Sequence, residues 1–109
     1  MKNKTDWKTK EIDALFDAIL LLESKTEAAN FFRDLLTEPE LAEFANRWKV
    51  AQLLANKVPY STIEKQTGMS STTIARISKW VNSGTGGYKK VLLKSNHHHH
   101  NLTSFEEDS

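Results

Sequence analysis

Apolar residues first recur at helical spacing at Ile12, Leu15, Phe16, Ile19, Leu20 and Leu22, with Glu11, Asp13, Asp17 and Glu23 between them. Positions i, i+3, i+4 and i+7 share one side of an α-helix, so the series predicts a helix over 10–22 with one apolar face. Ser24 and Lys25 interrupt it, and Thr26 is a candidate N-cap for a second helix carrying Ala28, Phe31, Phe32, Leu35 and Leu36. Thr37-Glu38-Pro39-Glu40 is the clearest start signal in the chain. Thr37 can accept from the Glu40 amide while the Glu40 carboxylate reaches back, and proline tolerates a first helical turn. The helix that follows, 40–56, carries Leu41, Phe44, Ala45, Trp48, Val50, Ala51, Leu53 and Leu54, and its second half is apolar on nearly every side. Such a helix lies inside a large core or is buried by a second chain, and in 109 residues the second chain is the more economical solution.

After the connector Lys57-Val58-Pro59-Tyr60, two short helices are predicted, YSTIEKQT over 60–67 and SSTTIARISKWVN ending at Asn82, with Ser70 or Ser71 as the cap between them. Ser83-Gly84-Thr85-Gly86-Gly87 ends the second, and YKKVLLK, 88–94, can form a last short helix. No strand alternation and no internal repeat compete, so the fold class is all-α. Residues 1–9 form an N-terminal arm, 10–94 the helical domain with the helix pair at about 59–82, and the polar segment 95–109 is expected to be disordered.

Two short helices joined by a tight glycine turn match the helix-turn-helix arrangement. Gly68 stands where the chain needs a left-handed backbone, and Ile63, Ile74 and Ile77 are spaced to meet beneath the crossing helices. The opposite face of the second helix offers Ser71, Thr72, Ala75, Arg76 and Lys79, small and polar first and basic later. Small residues permit close approach to a groove, Ser and Thr bond base edges, and Arg grips guanine or phosphate with two hydrogen bonds. A purely structural hairpin whose serines only cap is the alternative. Glu64 departs from the small residue usual at its position in such units.

Composition narrows the possibilities. The chain weighs 12.4 kDa, enough for one domain, with 39% hydrophobic and 27% charged residues. No apolar run reaches the roughly 20 residues that span a bilayer, and the N-terminus lacks the apolar stretch of a secretory signal. The absence of cysteine excludes disulfides and thiolate chemistry and fits a cytoplasmic protein. The net charge of +1 hides a segregation: residues 57–94 hold seven Lys and Arg against Glu64 alone, a local charge of +6. A basic block on the helix pair points to a polyanion partner.

Other constellations carry less. His97–His100 on a polar tail bind metal weakly at best, so no metal site is assigned and a tag remnant or a native polar tail accounts for them. Asn101-Leu102-Thr103 is a glycosylation pattern without a secretory context. Trp7, Trp48 and Trp80 offer base stacking as one reading, but Trp48 and Trp80 fall at helical spacing among apolar neighbours and are read as core, while Trp7 can staple the first helix. No nucleophile–base pair or phosphate-binding glycine loop is present, so neither an enzyme nor a cofactor is predicted.

LTEPELAEFANRWKVAQLLANKVPYSTIEKQTGMSSTTIARISKWVN, residues 36–82, resembles the Trp repressor family, and within it the YerC/YecD-like branch. The shared features are LT-x3-E before the third helix, R-x2-VA-x-LL along it, and I-E-x2-TG-x-S-x2-TI-x-R across the turn. The resemblance extends over about residues 10–94. It implies an intertwined helical homodimer whose two helix-turn-helix units dock in successive major grooves of a double-stranded DNA operator. It accounts for the apolar helix 40–56, which lies in the family's dimer core, and the family often departs from the small-residue rule at the position of Glu64. The expected function is a sequence-specific transcriptional regulator, more in keeping with a repressor than an activator. Lys65, Lys79, Lys89 and Lys90 are the expected phosphate contacts. Ser71, Thr72, Ala75 and Arg76 are expected at base edges, directly or through water, with Gln66 and Ser70 beside them. The alternatives are a dimeric protein-interaction module that uses no DNA, and a DNA-targeting subunit of a transposase-like complex. The resemblance also carries Thr37, Arg47, Thr73 and Arg76 onto the family's tryptophan pocket. The family's glycine after the second arginine is Ile77 here, which projects into the space of the indole or packs into the core. Either arrangement argues against a tryptophan effector, and leaves Arg47 to pair with Glu43 one turn earlier.

Overall fold

The computed structural model describes the backbone of residues 6–101 and the side chains of residues 6–95, all helices and connections with no strand among them. Among the described residues six helices follow one another: α1 (Lys10–Ile19), α2 (Lys25–Leu35), α3 (Glu38–Ala55), α4 (Tyr60–Thr67), α5 (Ser71–Ser83) and α6 (Gly87–Asn101). No described helix is long and apolar enough to cross a membrane. The chain divides after Leu41 into two compact units.

In the first unit, Thr9 Oγ1 accepts the Ile12 N–H at 3.1 Å and opens α1. Trp7 packs edge-on against Phe16 with ring centroids 6.1 Å apart, the staple expected of it. The helix stops three residues short of the predicted Leu22. Leu21 and Leu22 donate instead to the carbonyls of Ala18 and Ile19, three residues back, and the backbone then extends into Ser24. Ser24, not Thr26, caps α2. Its Oγ accepts the Glu27 N–H at 3.1 Å while Glu27 Oε1 accepts the Glu23 N–H at 3.1 Å. Thr26 has only Ala29 three residues on and can build no such reciprocal pair. Arg33 closes α2 by donating to the Leu36 carbonyl at 3.0 Å and pairing with Glu38 at 3.1 Å. The box at Thr37 forms as predicted: Thr37 Oγ1 accepts the Glu40 N–H at 3.2 Å, and Glu40 Oε1 accepts the Thr37 N–H at 2.8 Å. The Thr37 hydroxyl also donates to Glu40 Oε1 at 3.0 Å, and the two bonds that carboxylate accepts from Thr37 hold it below its ordinary pKa, the backbone bond contributing most.

The second unit has a core of Val50 and Ala51 from α3, Ile63 from α4, Met69 from the turn, Ile74 and Ile77 from α5, and Leu92 from α6. Each fully buried aliphatic side chain contributes about 1.5–3 kcal/mol of hydrophobic stabilisation. Trp48, Leu53, Leu54, Val58, Val81 and Tyr88 pack around the core. The chain leaves α3 through a Schellman turn: Val58 N–H reaches the Leu53 carbonyl and Lys57 N–H the Leu54 carbonyl, both at 3.0 Å. Lys57 occupies the left-handed position of that turn at φ +62°. Phe44 and Ala45, expected to be buried, are exposed among the described residues of this single chain. The backbone of α6 is helical to Asn101, past the expected limit at 94, because no glycine or proline interrupts it after Gly87. The side chains of His97–His100 and all of 102–109, the rest of the expected tail, lie outside the described residues.

Candidate nucleic-acid interface

The turn between α4 and α5 is built from short-range bonds. Gly68 adopts φ +74° and its N–H donates to the Glu64 carbonyl at 2.9 Å, closing α4. Thr67 Oγ1 donates to the Ile63 carbonyl at 2.7 Å and accepts the Met69 N–H at 3.2 Å, which turns the buried Met69 inward. Ser70, extended, then caps α5 by accepting the Thr73 N–H at 3.2 Å. Ile63, Ile74 and Ile77 are all fully buried, meeting under the helix pair as their spacing predicts. The packed core leaves α5 one way to face.

Its solvent side consists of two ridges at i, i+4, i+8: Ser71, Ala75 and Lys79, and beside them Thr72, Arg76 and Trp80. All six are exposed. Lys65 and Gln66 are exposed on α4, and so is Glu64, whose side chain therefore crowds nothing. Lys89 and Lys90 are exposed on α6, immediately after Tyr88. Tyr88 holds that helix against α3, its ring parallel to that of Trp48 within 10° and 6.5 Å from it. Burial pushes the Tyr88 phenol above its ordinary pKa, and the Arg47 guanidinium offsets part of the rise. Lys65, Arg76, Lys79, Lys89 and Lys90 have no carboxylate partner among the described residues, in contrast to Arg33 and Arg47. Unpaired cations around a helix face of small and hydroxyl side chains present hydrogen-bond donors and positive charge to a polyanion.

The structure assigns local work to some of the residues singled out in the sequence. The Ser70 hydroxyl is engaged as the α5 cap and also bonds Thr73 Oγ1 at 3.1 Å, so Thr73 is half-buried with its hydroxyl occupied. Arg47 pairs with Glu43 at 3.2 Å. Thr37 belongs to the first unit, where it caps α3. Ile77 takes the second of the two places open to it and lies in the core with no exposed surface. Trp80 corrects the sequence reading: it is 41% exposed and lies outside the core. A helical wheel could have signalled this, since Trp80 continues the row of Thr72 and Arg76 rather than that of Ile77.

An all-helical chain whose α4 and α5 form a helix-turn-helix with an exposed, basic second helix is the class of protein this geometry defines. The chain belongs to the Trp repressor family: the family described as "Trp repressor protein" matches residues 10–96. It is 40% identical over 83 residues to the uncharacterized protein YerC of Bacillus subtilis (strain 168), a match covering 76% of this chain and 80% of that protein. Two crystal structures share the fold. A TrpR-like protein from Eubacterium eligens ATCC 27750 superposes with a TM-score of 0.76 at 36% identity, covering 85% of this chain and 94% of its own. A candidate Trp repressor from Staphylococcus aureus gives 0.78 at 33% identity, with coverages of 87% and 96%.

Proposed function

We propose that the protein is a sequence-specific, DNA-binding transcriptional repressor that acts as a homodimer. The observation that carries this reading is the pair of exposed ridges on α5, flanked by basic side chains without acidic partners among the described residues. Ser71, Thr72, Ala75 and Arg76 meet base edges in the major groove, and Lys65, Lys79, Lys89 and Lys90 neutralise phosphates, with Gln66 and Ser70 at the margin. Membership of the Trp repressor family and the neighbouring structures support the same reading. The dimer is supported by apolar side chains that a single chain leaves uncovered, among them Leu20, Leu21, Phe44 and Leu93, the first at 83% exposure. Two-fold symmetry then sets the two α5 helices to half-sites about 34–36 Å apart, one turn of duplex. Within the second unit, Arg47, Thr73 and Arg76 are the residues an effector pocket would use. The occupied Thr73 hydroxyl, the Arg47–Glu43 pair and the buried Ile77 argue against tryptophan as its ligand.

Titration of labelled duplex against salt tests the proposal. Four lysines on each of two protomers make eight phosphate contacts, so log K should fall against log salt with a slope of about −7. Genomic footprinting should then show paired half-sites one helical turn apart. Association that does not respond to salt would instead indicate a protein-interaction module, and light scattering showing a folded monomer near 12.4 kDa would exclude the dimer.

A further inference from the structure

Within the helix-turn-helix every aliphatic side chain larger than alanine is covered, Ile63, Ile74 and Ile77 completely, Met69 nearly so and Val81 in part. The large side chains left exposed there are both aromatic with a polar tip, Tyr60 and Trp80. Such side chains suit surfaces where one end meets apolar matter and the other a hydrogen-bond partner. Of the two, Trp80 stands on α5 itself and completes the ridge begun by Thr72 and Arg76. Its ring packs against no other described aromatic, and its indole N–H makes no hydrogen bond among the described residues. Arg76 lies one turn before it and Lys79 beside it, neither paired with an acid among the described residues.

The length of α5 locates this side chain on a bound duplex. Thr72 and Trp80 are eight residues apart, about 12 Å along the helix at about 1.5 Å per residue. The major groove of B-DNA is about 12 Å wide. A helix that brings its first turn to the base edges therefore carries Trp80 up to the groove wall, where deoxyribose and phosphate stand instead of bases.

We propose that Trp80 is a DNA-backbone contact, its ring packed on a deoxyribose and its Nε1–H donated to a phosphate oxygen. The inference rests on the DNA-binding reading above and adds to it an uncharged contact that holds α5 in the groove without reading sequence. The contact is made to sugar and phosphate, so it strengthens binding to every duplex alike. It carries no formal charge, so it leaves the number of displaced counterions unchanged.

The test uses wild-type protein, Trp80→Ala and Trp80→Phe, titrated by fluorescence anisotropy into a fluorescein-labelled duplex of mixed sequence at about 50 and about 200 mM salt. Trp80→Ala should lose about tenfold in affinity at both salt concentrations with an unchanged salt slope, a size in keeping with aromatic contacts to nucleic acid. Trp80→Phe keeps the ring and loses the donor, and should fall between the two. Sedimentation of each variant without DNA completes the set and should show the wild-type oligomer. Wild-type affinity in Trp80→Ala, while the wild-type protein binds with a steep salt dependence, overturns this inference alone. Loss of the oligomer in Trp80→Ala also overturns it, since the indole then belongs to a contact between copies of the chain. Failure of the wild-type protein to bind duplex at the lower salt overturns the DNA-binding reading, and this inference with it.

Discussion

Replacing Ile77 by alanine tests where the decisive side chain of α5 lies. Ile77 has no exposed surface and packs in one cluster with Ile63, Ile74, Val50 and Leu92. The change removes three carbons, and at about 0.8 kcal/mol each their lost burial comes to about 2.4 kcal/mol. A residual cavity of about 40 Å³ at about 24 cal/mol per Å³ adds about 1 kcal/mol, so the expected loss is about 3–3.5 kcal/mol. That is a large part of the stability of a small domain, which lies near 5–15 kcal/mol (about that range for most globular proteins). Ile77→Val removes one carbon and should cost about 1 kcal/mol. Urea unfolding followed by far-ultraviolet circular dichroism measures both, at one fixed protomer concentration because association contributes to apparent stability. Unchanged m-values would confirm that the folded and unfolded states compared are the same. A loss below about 1 kcal/mol for Ile77→Ala would mean that the side chain faces open space rather than a packed core. The same placement bears on the effector: with the core closed around Ile77, millimolar L-tryptophan should give no saturable heat and leave DNA affinity unchanged. A tenfold change in affinity would contradict it.

Three further outcomes follow from particular contacts. Gly68→Ala should cost about 1 kcal/mol, a purely conformational penalty at φ +74° because no atom lies within 4 Å of the added Cβ, and Gly68→Asn should cost less. At Gly84 asparagine should bring no such relief over alanine, since any Cβ there falls 2.5 Å from the Trp80 carbonyl oxygen; thermal unfolding of the four variants separates the two causes. Arg76→Ala should weaken operator binding by about 1–3 kcal/mol and relax specificity if the guanidinium reads a base, but lower all duplex affinities alike and the salt slope by about one if it holds phosphate. The Glu40 carboxyl has its pKa lowered by bonds from Thr37, so its contribution is present above the ordinary carboxylate range and lost as pH falls through the lowered value. Acid titration of wild type and Glu40→Gln should show a smaller loss of stability in the variant, which keeps a bond that does not titrate; equal losses would remove Glu40 from the account.

What could be read from the sequence were features settled within three or four residues of themselves. The Thr37–Glu40 box, the Ser70 cap, the left-handed Gly68 and the 60–67 helix all depend on bonds between near neighbours, and each formed. The isoleucine triad was legible for a related reason, because helical spacing sets Ile74 and Ile77 on one side of α5 and the short turn at Gly68 folds Ile63 of α4 against them. The motif across 36–82 likewise placed the chain in its family. Even local signals competed: Ser24 and Thr26 are both acceptable caps, and only the reach of Glu27 selected Ser24. Burial was another matter, since a side chain's exposure depends on what packs above it. Phe44 sits among apolar neighbours in sequence yet remains 50% exposed among the described residues. Ile77 had two places open to it, and the packing of α5 against α4 and α6 put it in the core. The outward face of α5 was thus legible from its spacing, while tertiary packing decided how completely the opposite face is closed and where the ambiguous Ile77 lies.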